Sequence, residues 1–151
     1  TSGDILGMLN ILLLNQPGKN LADSILYSDI HIDEGKVVTY GIGPSFTSLE
    51  PGKEYPYEGT IAENIMTYGL DRIIVADTFQ SIKPIDWALF IPCNVNSYYA
   101  EPYFEDGILR TVLIFCSSRK GVFNEENSRS YSSLYSLFYE GLKLWRKTTL
   151  K

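Results

Sequence analysis

The chain has 151 residues, 44% of them hydrophobic and 21% charged, the composition of one folded domain rather than of a disordered or low-complexity chain. Thirteen Lys and Arg against 18 Asp and Glu give a formal net charge of −5, and with no basic run this disfavours a nucleic-acid partner. A single histidine, His31, and two cysteines, Cys93 and Cys116, leave neither a zinc ligand set nor a disulfide framework.

Cysteine usage of this kind fits a reducing, cytoplasmic compartment. No basic leader precedes an apolar core, and the start Thr1-Ser2 reads as a piece cut from a longer protein or as a processed N-terminus. The most apolar stretch, Ile5 to Leu14, falls short of the ~20 residues a membrane span needs, so no membrane contact is expected of this segment.

In chain order, Ser2 caps a first helix with Asp4 in its first turn, and Ile5, Leu6, Met8, Leu9, Leu12 and Leu13 follow at helical spacing until Pro17-Gly18 stops it. This helix is apolar on more than one face and must be buried against the core or a partner. Ile25 to Ile42 reads as a hairpin turning at Asp33-Glu34-Gly35. Residues 45–58 read as a loop, and 59–68 as a short helix capped by Thr60 and ended by Gly69. Arg72 to Ala76 is a short buried strand, and 79–86 a loop or single helical turn. Ala88 to Cys93 is expected to be an edge or bulged strand because of Pro92. The polar, aromatic segment Val95 to Gly107 reads as a loop that covers a pocket or forms a contact surface. Ile108 to Cys116 is the strongest strand. Asn124 caps a last helix whose stripe Tyr131, Leu134, Tyr135, Phe138, Leu142 and Trp145 has i, i+3, i+4 spacing, with Lys143, Arg146 and Lys147 near its negative end.

This order predicts a single domain over 1–151 of the α+β class, an antiparallel sheet with helices packed mainly on one face. The run from Gly59 through Gly69 to Ile73-Ile74-Val75 and Asp77 resembles the GAF pattern of glycine, short helix, glycine, apolar strand and aspartate. Trp87 to Pro92 looks like the family's next strand, Gly107 to Phe115 like the strand after it, and Phe123-Asn124-Glu125-Glu126 with its helix like the closing signature. The resemblance covers about residues 20–147 and implies a sensory domain of a signalling protein. Three features depart from it. The segment Val95 to Gly107 is long for a family that joins its last two strands tightly. Arg119 stands where cyclic-nucleotide binders carry Asn, and no Cys-His pair is present for a covalent bilin.

A ligand site is expected between the strand at 88–93, the strand at 109–113 and the loop at 77–87, with a small ligand of unknown identity and no named cofactor. Asp77 would accept a hydrogen bond or cap the segment after it. Phe79, Trp87 and Phe90 would enclose the ligand or fill the core. Arg110 would pair with an anion or face solvent by strand alternation. His31 reads as an exposed strand histidine. Cys93 and Cys116 read as core thiols, the other reading being a redox pair like that of GAF-like free methionine sulfoxide reductases. Three functions follow: a non-enzymatic sensory domain signalling to an output domain, a ligand-free dimerisation module, and the reductase. Pairing into a homodimer is expected through Ile5 to Leu14 and Tyr131 to Trp145.

Overall fold

The structure, a computed structural model, describes residues 2–16 and 20–149; side chains of 2–4, 137–140, 142, 145, 146, 148 and 149 are excepted. The expected stop at Pro17-Gly18, the Ser2 cap with Asp4, and the stripe members Phe138, Leu142 and Trp145 with Arg146 lie outside the described residues.

Six antiparallel strands form one sheet in the order β3-β2-β1-β6-β5-β4. Strands β1 (Ser24–His31) and β2 (Lys36–Ile42) make the expected hairpin, closed by a 3-10 turn at Ile32–Glu34 and by Gly35 in the left-handed region. The central strands are β1 and β6 (Ile108–Ser117), paired from Ser24↔Cys116 to Asp29↔Thr111. Both faces of these strands are covered, so consecutive apolar residues, 25–27 in β1 and 112–116 in β6, are buried without polar alternation. On one face Leu26, Ile30, Val112 and Ile114 pack under α2 (Ile61–Tyr68) and the segment after it. On the other, Ile25, Tyr27, Leu113 and Phe115 meet the terminal helices α1 (Ser2–Leu14) and α3 (Glu125–Thr149) through Ile5, Leu9, Leu12, Tyr131, Leu134 and Tyr135. The two long helices therefore share one face, as expected, and shorter elements cover the other.

Capping follows the sequence. The Thr60 hydroxyl accepts from the Glu63 amide and the Glu63 carboxylate accepts from the Gly59 amide, an arrangement that satisfies one orphan donor of α2 and ties the residue before its cap to the first turn. Gly69 ends the helix in the left-handed region. Asn124 and Asn127 exchange side-chain-to-backbone bonds of 2.8 and 2.9 Å at the start of α3. Gln16 bonds the Ala22 backbone in both directions, at 2.8 and 3.0 Å, and fastens the exit of α1 to the approach to β1.

Four local expectations are corrected. Residues 88–93 are not a strand. A π-helix runs over Asp86–Phe90, with Ile91 N–H donating to Asp86 C=O at 2.8 Å and Val95 N–H to Phe90 C=O at 2.9 Å. A six-residue apolar run carries no periodicity that separates strand from buried helix. The buried positions Ile85, Leu89 and Phe90 have helical spacing, and Pro84 precedes them as at a helix start. Residues 95–107 are not a loop: β5 (Ser97–Glu105) lies there, sending Tyr98 and Ala100 to one face and Tyr99 and Tyr103 to the other. Pro102 is tolerated because β4 (Ile73–Val75) pairs only with 98–100, so the outer side of β5 is free at Pro102. The β5–β6 connection is a tight two-residue turn, Asp106-Gly107, with φ of +54° and +77°, the Asp-Gly signature of a twisted hairpin. A short edge strand, β3 (Lys53–Pro56), interrupts the expected loop at 45–58, and β4 is a half-buried edge rather than a buried strand.

Candidate functional site

Beneath α2 the sheet borders a small apolar cavity of about 20 Å³, walled by Leu26, Val112 and Ile114 of the sheet, Ile61 of α2, and Leu89 and Phe90 of the π-helix. One water needs about 10–15 Å³ on this measure and organic ligands about 300–1,000 Å³, so in this conformation the space holds a water at most. The cavity is closed by side chains rather than absent. A shallow cleft of about 130 Å³ lies outside it, and Tyr55, Thr60 and Ile85 border both spaces.

The segment that plugs the cavity is held at two points. Ile85 N–H donates to Gly59 C=O at 3.1 Å. Gly59 has φ +85°, and a Cβ there would stand 3.1 Å from Pro84, so a glycine is what allows this approach. Deeper in, the fully buried Asp86 carboxylate accepts from the Tyr98 hydroxyl at 2.8 and 3.0 Å, and Lys83 Nζ lies 3.6 Å away. Burial first, and the neighbouring Asp86 charge second, push the Tyr98 hydroxyl well above its ordinary range, so it stays a donor. The Phe90 ring packs on Tyr98 with centroids 4.9 Å apart.

The five residues singled out from the sequence fall in three places. Phe90 lines the cavity. Asp77 caps the 3-10 turn Thr78–Gln80, accepting from the Phe79 amide at 3.0 Å, and lies 3.5 Å from Lys120. Phe79 and Trp87 meet edge to face at 5.8 Å on the surface, 49% and 51% exposed, with Lys120 Nζ 5.5 Å from the Phe79 ring centre and Trp87 Nε1 donating to Ser81 C=O. Arg110 stands apart from both, at a β-bulge near the opposite end of β6. His31 is half-buried rather than exposed, its Nε2 2.7 Å from the buried Asp29 carboxylate. Burial raises the Cys93 thiol and raises the fully buried Cys116 thiol well above the ordinary range. Sequence reasoning missed Tyr55, Ile85, Asp86, Leu89 and Tyr98; the helical spacing of 85, 89 and 90 was the signal available for two of them, Ile85 and Leu89.

No family model and no curated protein sequence matches this chain. Solved structures do. The GAF domain of a two-component sensor histidine kinase from Bacillus halodurans superposes with a TM-score of 0.67, covering 95% of each chain at 13% identity. The chain has the GAF-like fold. The GAF domain/HD domain protein from Geobacter sulfurreducens gives 0.67 at 11% identity, covering 95% of this chain and 94% of that one. Free methionine-R-sulfoxide reductase from Neisseria meningitidis, in complex with its substrate, gives 0.68 at 14% identity, covering 98% and 83%. GAF domains, one of them from a sensor kinase, and an enzyme thus share this GAF-like architecture, and at such identities the likeness concerns the fold. Among the described residues no helix is long and apolar enough to cross a membrane.

Proposed function

We propose that this GAF-like domain is the regulatory sensory module of a cytoplasmic signal-transduction protein, responding to a small apolar molecule that enters the cavity beneath α2. The observation that carries this reading is the small apolar cavity with an open cleft sharing its wall, on the face of the sheet opposite the terminal helices. Ligand entry requires Ile85, Leu89 and Phe90 to withdraw, so the segment 77–90 moves and carries Asp77, Phe79 and Trp87 with it. Phe90 contacts the ligand directly; Arg110 does not border this cavity. The terminal helices α1 and α3 pass the change to an output domain and pair with a second copy through exposed Ile11, Leu14 and Leu144.

The test is a titration with benzene or indole followed by amide chemical shifts. Saturable shifts at Leu26, Phe90, Val112 and Ile114 are the expected result. A flat titration favours the second reading, a ligand-free interaction module, which the 20 Å³ volume supports. The reductase reading draws support from the neighbouring enzyme fold but needs a thiol of lowered pKa, and burial moves both thiols the other way.

A further inference from the structure

A half-open groove of about 440 Å³ lies at the end of the sheet where the β1–β2 and β5–β6 turns come together, with Met66 of α2 on its rim. Its volume is in the range of ligand-sized clefts. Ile30 is the one residue that borders both this groove and the apolar cavity, so the two are separate sites.

The two sides of the groove carry opposite charge. Asp33 and Glu34 project from one turn, and Glu34 is already held by Lys36 Nζ at 3.1 Å. Arg110 stands on the other side. The pairing Tyr103↔Thr111 followed by Phe104↔Leu109 leaves Arg110 as the extra residue of a β-bulge, a device that re-aims a side chain. Its Nε is buried without a hydrogen-bond partner, and the closest carboxylate, Glu105, lies 4.0 Å away, outside hydrogen-bond range. A guanidinium so loosely satisfied is suited to a carboxylate brought by a ligand. Between the charges, Ile32, Met66 and Ile108 are 37%, 41% and 44% exposed and give the groove an apolar lining.

We propose that this groove binds a short zwitterionic peptide of two or three residues. Its carboxylate meets Arg110, its ammonium meets Asp33, and an apolar side chain lies against Ile32, Met66 and Ile108. An anion alone is opposed by the acidic turn and a cation alone by Arg110; a dipolar ligand satisfies both sides.

The probe is the dipeptide L-alanyl-L-leucine, titrated into the labelled protein while amide shifts are followed, beside its N-acetylated form and its C-terminal amide. Saturable shifts are expected at residues 31–34, 66 and 107–110, with each blocked form binding about tenfold weaker or worse through loss of one charge-assisted contact. Arg110→Gln should reduce dipeptide affinity to that of the amide-blocked form, and Asp33→Asn to that of the acetylated form. The proposal is overturned by the absence of shifts up to about 10 mM, a concentration that reveals millimolar binding. It is equally overturned by equal affinity for all three forms, or by shifts confined to Leu26, Val112 and Ile114. That last outcome would place the peptide in the apolar cavity and leave the sensory reading standing.

Discussion

Replacing Phe90 by alanine probes the closed cavity most directly. The ring is fully buried, forms one wall of the 20 Å³ space and packs on Tyr98 at 4.9 Å. Phe→Ala changes in cores cost about 3–5 kcal/mol, of which the aromatic pair accounts for ~0.5–1.5 kcal/mol. With a urea slope of ~2 kcal/mol/M, usual for a domain of this size, a loss of ~4 kcal/mol lowers the midpoint by about 2 M. The enlarged space is walled by Leu26, Ile61, Leu89, Val112 and Ile114, so it should stay dry and take up benzene. Benzene at ten times its dissociation constant should then restore ~1.4 kcal/mol. A loss below ~1 kcal/mol with no benzene recovery would refute the enclosure of Phe90 and the cavity with it. Phe90→Leu, expected to cost roughly 1–2 kcal/mol, supplies a folded sample if the alanine variant exceeds the stability available.

Tyr98→Phe should cost ~1.5–3 kcal/mol in chemical denaturation, because the buried Asp86 carboxylate loses its hydroxyl donor and keeps only Lys83; in a double-mutant cycle with Asp86→Asn the two losses should fall well short of additive. Iodoacetamide should alkylate Cys93 at neutral pH more slowly than free cysteine and faster as pH rises, with Cys116 reacting only on unfolding; a Cys93 faster than the free thiol would overturn the assigned environment and favour the reductase reading. Burial raises Tyr98, Tyr99 and Tyr131, so their neutral forms are favoured in the fold. Their contribution to stability is complete below the unfolded tyrosine pKa of about 10 and is lost as pH rises beyond it. Tyrosinate absorbance should therefore grow in two phases, the later one coinciding with unfolding; a single phase with the fold retained would contradict this.

Much of the fold was legible because local chemistry and tertiary structure agree. Thr60 and Gly69 bracket α2, Asn124 starts α3, and Asp33-Glu34-Gly35 turns β1 into β2, each through a short-range backbone requirement visible in the residues themselves. The strand β5 was hidden because Pro102 and a run of tyrosines resemble a loop. Only the shortness of β4, a tertiary fact, shows that Pro102 faces no partner on the outer side of β5. The Asp106-Gly107 turn was readable, but it separates two strands only once the aromatic run before it is recognised as one.

The site was less legible for a related reason. Strand and helix assign opposite neighbours to the residues from Ile85 to Phe90. Read as a strand after a loop, Phe90 faces a ligand from the strand and Trp87 joins the pocket from the end of the loop. Read as the π-helix observed, Ile85, Leu89 and Phe90 turn inward and Trp87 turns out beside Phe79. The π-helix is costly in isolation and marks functional segments where tertiary contacts impose it. Here those contacts are the Asp86–Tyr98 bond and the Ile85–Gly59 bond, one at each side of the plug.

The arrangement of the two cores constrains how a signal would travel. Along β1, Leu26 and Ile30 belong to the cavity side while Ile25 and Tyr27 belong to the helix side; along β6, Val112 and Ile114 oppose Leu113 and Phe115. Each central strand therefore presents consecutive residues to both cores. In a close-packed interior a shift of the cavity wall is not absorbed by voids, so a ligand that displaces the plug must either push the two central strands or move the segment 77–90 outward. The second route must break the Asp86–Tyr98 and Ile85–Gly59 bonds and the Thr78 hydroxyl's bond to Val95 C=O, besides the surface contacts of Lys120 with Asp77 and Phe79. The first presses on α1 and α3 through Tyr27 and Phe115. A ligand alters the pairing of the terminal helices only to the extent that it binds the two sheet positions with different affinity. Coupling should therefore be sensitive to the volume of Tyr27 and Phe115, which touch no ligand, and insensitive to Phe79 and Trp87, which move with the plug.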